Sequence, residues 1–194
     1  MSPVTHFIGS WLVASVVTNN SRDRKLVTLA GIIPDLNGLG IVADVGVGSV
    51  SGKEVTFHYY QQFYHLLLHG WPAALTTATL LAGFARNRAR VFIFGLLTFH
   101  LHLLCDLIGS RGPAPGDLWP ICYSEPPFRH SIWFWKNQWR LDGWQNQLVF
   151  VVVFAGSIWV ALRKGFSFVE IFHAGAEQIV IGVLVQWRGG IFRS

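Results

Sequence analysis

His65 and His69 stand four residues apart, and so do His102 and Asp106. On an α-helix that spacing places both side chains on one face, about 40° apart around the axis. Two further groups of the same kind, His6 and Asp35, lie in other apolar stretches of the chain. Ionisable side chains within apolar segments are expensive to bury and point to function by default. Neutral imidazole nitrogens and carboxylate oxygens are ligands for zinc, and for manganese or iron. A divalent cation would also offset the burial of two aspartates. His100 is two residues from His102 and faces the other way, so it is read as a packing or supporting histidine.

Metal held by such a set implies hydrolysis, because the ion acidifies a bound water and polarises a carbonyl or phosphoryl oxygen. The candidate ligands are His6, Asp35, His65, His69, His102 and Asp106, with an aspartate, Asp35 or Asp106, doubling as general base. Six groups exceed one tetrahedral zinc, so one or two ions are expected, with supporting roles for the remainder. Bis-histidine haem ligation fits less well, since haem iron is not normally held by carboxylate. His58 and His130 are reserves. No Ser-His-Asp set, phosphate-binding glycine loop or Cys-His pair competes, and the glycines between Gly38 and Gly52 read as a flexible loop.

The elements that must position these groups are apolar. Of 194 residues 52% are hydrophobic and 13% charged, and mean hydropathy is +0.41. A soluble domain carries nearer a quarter charged residues, so the composition points to an integral-membrane helical bundle. Five apolar segments stand out, at 4–17, 26–42, 63–85, 91–108 and 148–162. A span needs about 20 helical residues, which makes the third and fourth the firmest. The first is short, and the second is interrupted by Pro34, Asp35, Asn37 and glycines. The expected fold is all-α, with four to five membrane segments.

Basic residues cluster at segment ends, around Arg22–Lys25, Arg86–Arg90 and Arg163–Lys164, in the manner of cytoplasmic anchors rather than a nucleic-acid patch. Counted from those runs, His6 lies 16 residues from Arg22, His69 lies 17 from Arg86 and Asp106 lies 16 from Arg90. At 1.5 Å per residue each is roughly 24 Å from its anchor, so three segments bring a ligand to one level in the non-cytoplasmic leaflet. Asp35 reaches that level if Pro34 breaks its helix. Residues 109–147 form an outer loop rich in Trp and Pro, read either as an interfacial belt or as a lid. Ser167-Phe168-Val169-Glu170 has the form of a capping box. It opens an amphipathic C-terminal helix within 166–194, set apart from the bundle of 1–165. Cys105 and Cys122 have neither CxxC spacing nor a disulfide framework.

At these residues the chain resembles a bacterial family of membrane-bound metal-dependent hydrolases, described as LexA-binding and inner-membrane-associated. The likeness runs over most of the chain: Thr5-His6, the Pro34-Asp35 turn, His65 and His69, and His102-x-x-x-Asp106 followed by Gly109. The order of His and Asp is also distantly similar to zinc-dependent phospholipase C. The resemblance implies ligands at His6, Asp35, His65, His69, His102 and Asp106, zinc above other divalent ions, and a phosphoester or lipid-like substrate. It implies membrane lipids as surroundings and no direct nucleic-acid binding. The family's Pro-Asp-x-Asp reads Pro34-Asp35-Leu36-Asn37 here, so its second carboxylate is an amide. A non-enzymatic protein with a structural or metal-sensing cluster is the alternative.

Overall fold

The structure is a computed structural model that describes residues 1–51, 68–124 and 132–191. His58, His65 and His130 lie outside the described residues. Helix α1 (Pro3–Val17) starts with Ser2 accepting the Thr5 N–H and Pro3 in the first turn, where its missing N–H costs nothing. Helix α2 (Ser21–Ala30) is capped by Asn20. A 3-10 turn (Ile33–Leu39) and α3 (Gly40–Ser51) follow. Next come α4 (Trp71–Gly83), α5 (Arg88–Gly109), a two-stranded antiparallel ribbon of β1 (Ile121–Cys122) and β2 (Ile132–Trp133), and α6 (Trp144–Lys164). A second 3-10 turn (Phe168–Ile171) leads to α7 (Ala174–Ile191).

Helix α5 packs against α1, α2, α4 and the first 3-10 turn, while α1 also holds α2 and α6. Small residues let the helices approach: a Cβ added at Gly95 of α5 would meet Ala30 of α2 at 3.5 Å and Ala78 of α4 at 3.7 Å. A methyl fits that space and a larger side chain does not. Gly95→Leu is therefore expected to cost about 1–3 kcal/mol and lower the melting temperature in detergent, while Gly95→Ala leaves it nearly unchanged. Elsewhere the helices keep apolar faces bare. Ile93, Leu97, Leu101 and Leu104 line one exposed stripe of α5, as hydrocarbon-facing residues would.

Two helices, α5 and α6, are long and apolar enough to cross a membrane; a third span results if Ser21–Ala30 and Ile33–Val50, bent by 52°, count as one. The four to five segments of the sequence reading are not reached among the described residues. The expected third span, 63–85, shortens to α4, only 13 residues long. Pro72 sits in its first turn, where it has no N–H for a carbonyl four residues back, and Gly70 precedes the helix in an extended conformation, so the helix does not run back through His69. His69 instead lies on the bend that precedes α4, not on a helix four residues beyond His65.

At the other end the basic runs are more than loop anchors. Arg24 is buried and bonds both carboxylate oxygens of Glu170 at 2.6 Å, with its guanidinium 3.6 Å above the Phe166 ring. Glu170 also accepts from Trp11 and Ser21. The expected capping box is not formed: Glu170 turns away to Arg24, and the Ser167 N–H goes to Glu177. The tail therefore starts with a single 3-10 turn before α7. Asp23, equally buried, accepts from the backbone N–H groups of Arg86 and Asn87 and fixes the α4–α5 turn to α2.

Candidate metal centre

Five ionisable groups converge between α1, the first 3-10 turn, the bend before α4, and α5: His6, Asp35, His69, His102 and Asp106. Asp106 is their hub. Its Oδ1 lies 3.0 Å from His6 Nε2, and its Oδ2 lies 3.2 Å from His102 Nε2 and 3.6 Å from His69 Nε2. The Met1 ammonium and the Ser110 hydroxyl also bond Oδ1, at 2.5 and 2.9 Å. The His6 and His102 rings are stacked with centroids 3.8 Å apart. Asp35 approaches from the other side, its Oδ2 3.8 Å from His102 Nδ1.

The backbone decides which nitrogen of His102 is free. Pro34 has no N–H to offer the carbonyl of Gly31, and the Asp35 N–H goes to Ile32 instead. The Gly31 carbonyl is left for His102 Nδ1, at 2.9 Å. A carbonyl only accepts, so Nδ1 carries the proton and Nε2 of the neutral ring presents a lone pair. That lone pair faces a carboxylate oxygen and has no hydrogen-bond partner. Two acceptors 3.2 Å apart repel unless a positive charge lies between them. Supporting contacts of this kind, fixing tautomer and ring orientation, are what histidine ligands ordinarily have.

His69 is held through Nδ1, 3.1 Å from the Asn37 side-chain nitrogen. That N–H donates and Nδ1 accepts, so the neutral ring carries its proton on Nε2, the reverse of His102. A turn of the Asn37 amide that presents its oxygen is needed to free Nε2 for a ligand. The position where the resembled family has a second carboxylate is here a partner of the imidazole. Asp35 Oδ2 is also buried without a hydrogen-bond partner. Two groupings have ligand atoms mutually within 4.8 Å: His6, Asp35 and His102, and His69, His102 and Asp106. These donors could hold a metal ion, and the orphaned His102 Nε2 and Asp35 Oδ2 fit a cation. His100 stands outside the cluster, bonded to the Leu96 carbonyl and the Tyr123 hydroxyl.

Sequence reasoning passed over Ser110, Asn37 and the Gly31 carbonyl as partners of the cluster, and also Asp44, a further buried carboxylate on α3. Ser110 carried a signal, four residues beyond Asp106. A backbone carbonyl carries none.

A cavity of about 260 Å³ opens beside the cluster, lined by Asp35, Ser110, Trp119 and Leu141 among others. The loop that covers it is pinned by the ladder Trp139 N–H to Ile108 and Leu141 N–H to Arg111, and by Gln138, whose side chain bonds both backbone groups of Trp119. Trp119 thus covers the cavity, whereas Trp133, Trp135 and Trp144 are exposed as interfacial residues are.

The fold and site define a helical membrane protein whose helices and turns enclose a buried His/Asp cluster beside a cavity lined by Trp119. The chain belongs to the YdjM inner membrane protein family, whose model matches residues 1–168. No curated protein and no solved structure matches it.

Proposed function

We propose that the protein is a metal-dependent hydrolase of the bacterial inner membrane, acting on a phosphoester or lipid-like substrate from the non-cytoplasmic face. The observation that carries this reading is His102 Nε2, buried without a hydrogen-bond partner 3.2 Å from Asp106 Oδ2, with His6 and His69 at 3.0 and 3.6 Å from the same carboxylate. A lone imidazolium would satisfy the pair, but three imidazoles around one carboxylate form a ligand set that zinc favours and manganese or iron can share. Asp35, whose Oδ2 is buried without a hydrogen-bond partner, could serve a second ion. When bound, such an ion supplies an acidified water and a Lewis acid for the phosphoryl or carbonyl oxygen.

The chain's own residues would do the rest. Asp106 holds the three imidazoles in register. Gly31 and Asn37 fix two of the rings. Asp35 lines the cavity with an unpartnered oxygen, which suits a general base, and Trp119 and Leu141 cover the substrate and limit water.

Asp35→Asn tests this assignment. With zinc or manganese added, turnover of a phosphodiester and phospholipid panel is expected to fall about 10²- to 10⁴-fold, the range for general-base removal, with the melting temperature little changed. Full activity in that variant would remove Asp35 from the mechanism. Bound metal with no turnover of any substrate by the wild type would favour the structural or metal-sensing alternative.

A further inference from the structure

A second recess, of about 550 Å³, is lined by Arg111, Lys136, Arg140, Asp142, Trp144 and Gln145 among others, and by none of the cluster residues. Arg111 and Arg140 are directly bridged through their backbones, and both side chains line the recess. Like charges placed opposite one another destabilise a pair. Three cations share the recess with one carboxylate, Asp142, which is already engaged by Arg140 at 2.7 and 2.9 Å. The Nε of Arg111 is buried and has no hydrogen-bond partner. The first turn of α6 also opens here. No side chain caps Gly143 and no acidic residue stands in that turn. The Asn146 N–H is taken by the Gly143 carbonyl, which leaves the Trp144 and Gln145 N–H groups and the positive end of the helix dipole toward an anion.

The surface below the recess identifies the bearer of that anion. Trp144, Leu148, Val151 and Val152 follow at helical spacing down α6, and they are exposed by 70, 53, 58 and 61%. An apolar stripe thus runs from the recess into the span. Free phosphate would use the recess alone, whereas a phospholipid would use both.

We propose that Arg111, Lys136 and the first turn of α6 bind the phosphate of an anionic phospholipid, with its acyl chains along the Trp144–Val152 stripe. This site is separate from the His/Asp cluster, so its occupancy does not depend on metal or on hydrolysis. Bound lipid would anchor the base of the loop that covers the cavity, because Arg111 and Arg140 belong to the same ladder as Leu141.

The test is a tryptophan-fluorescence titration of the detergent-solubilised full chain with dioctanoyl phosphatidylglycerol, dioctanoyl phosphatidylcholine and inorganic phosphate. Phosphatidylglycerol is expected to bind at least tenfold more tightly than either comparator. In Arg111→Gln/Lys136→Gln its affinity is expected to drop on the order of 30-fold, two basic groups near an anionic headgroup having about that combined effect. Metal content should be unchanged in the variant. If the double variant does not fold, Lys136→Gln alone, at an exposed position, should still weaken phosphatidylglycerol about fivefold. Equal affinity for the two lipids, phosphate binding as tight as phosphatidylglycerol, or a variant that binds like the wild type would each overturn the proposal.

Discussion

Asp106→Asn is expected to weaken binding of zinc or manganese by more than ~100-fold, because loss of a supporting partner alone typically costs 10- to 100-fold. The carboxylate sits within 3.6 Å of all three imidazole Nε2 atoms, and an amide there is neutral and offers only one oxygen. Metal analysis of purified protein after dialysis against a defined free-metal concentration reads the effect directly. Asn37→Ala provides the graded comparison. It removes a contact to His69 Nδ1 and leaves the ligand atoms in place, so a 10- to 100-fold loss is expected. Wild-type protein that retains no metal, or an Asp106→Asn variant that retains as much as the wild type, would remove the metal from this site. The cluster would then be a hydrogen-bonded helix contact.

The second large effect belongs to the opposite end of the bundle. Arg24→Ala leaves the Glu170 carboxylate buried without its cation, and truncating one partner of a buried pair costs about 3–5 kcal/mol. For a chain of this length that is a fall of roughly 6–20 °C in melting temperature. Arg24→Leu/Glu170→Leu should be less destabilised than either single change, because no charge is then stranded.

The pair also sets an acid limit. Burial alone would raise the Glu170 pKa, but hydrogen bonds from Arg24, Ser21 and Trp11 and the Arg24 charge outweigh it and hold the group below 4.5. A carboxyl depressed on folding contributes fully above its unfolded value and loses that contribution as pH falls through its folded value. Stability of the wild type should therefore decline below about pH 4.5, and this part of the decline should be absent in Glu170→Gln. Melting curves in detergent across that range provide the measurement.

The sequence made the helical, apolar character of the chain plain, because composition and the length of α5 and α6 report directly on a hydrocarbon environment. That His6, His69 and Asp106 meet could be argued from residue offsets, although the helical rise behind that argument does not hold for His69, which lies on the bend before α4. What could not be read was how Asp35 joins them. Offsets place it too deep, and the 52° bend after Ala30 is a property of backbone pairing around Pro34. The third segment was misjudged for a related reason. Hydropathy continues smoothly through 63–85, but α4 begins only at Trp71 beside Pro72, and hydropathy is blind to a missing N–H. Glu170 misled in another way: its offset from Ser167 suits a capping box, yet the nearer competitor was a buried arginine 146 residues earlier in the chain.

The missing hydrogen bond at Pro34 has a wider consequence. The interruption that bends the membrane segment also leaves the Gly31 carbonyl to select the tautomer of His102. Shape and acid–base identity thus share one determinant. A substitution at Pro34 that straightened the segment by restoring a donor would also release the proton on His102 to either nitrogen. The bend and the imidazole could not drift apart independently: a change in the path of the chain through the bilayer is at once a change in what the ring can donate.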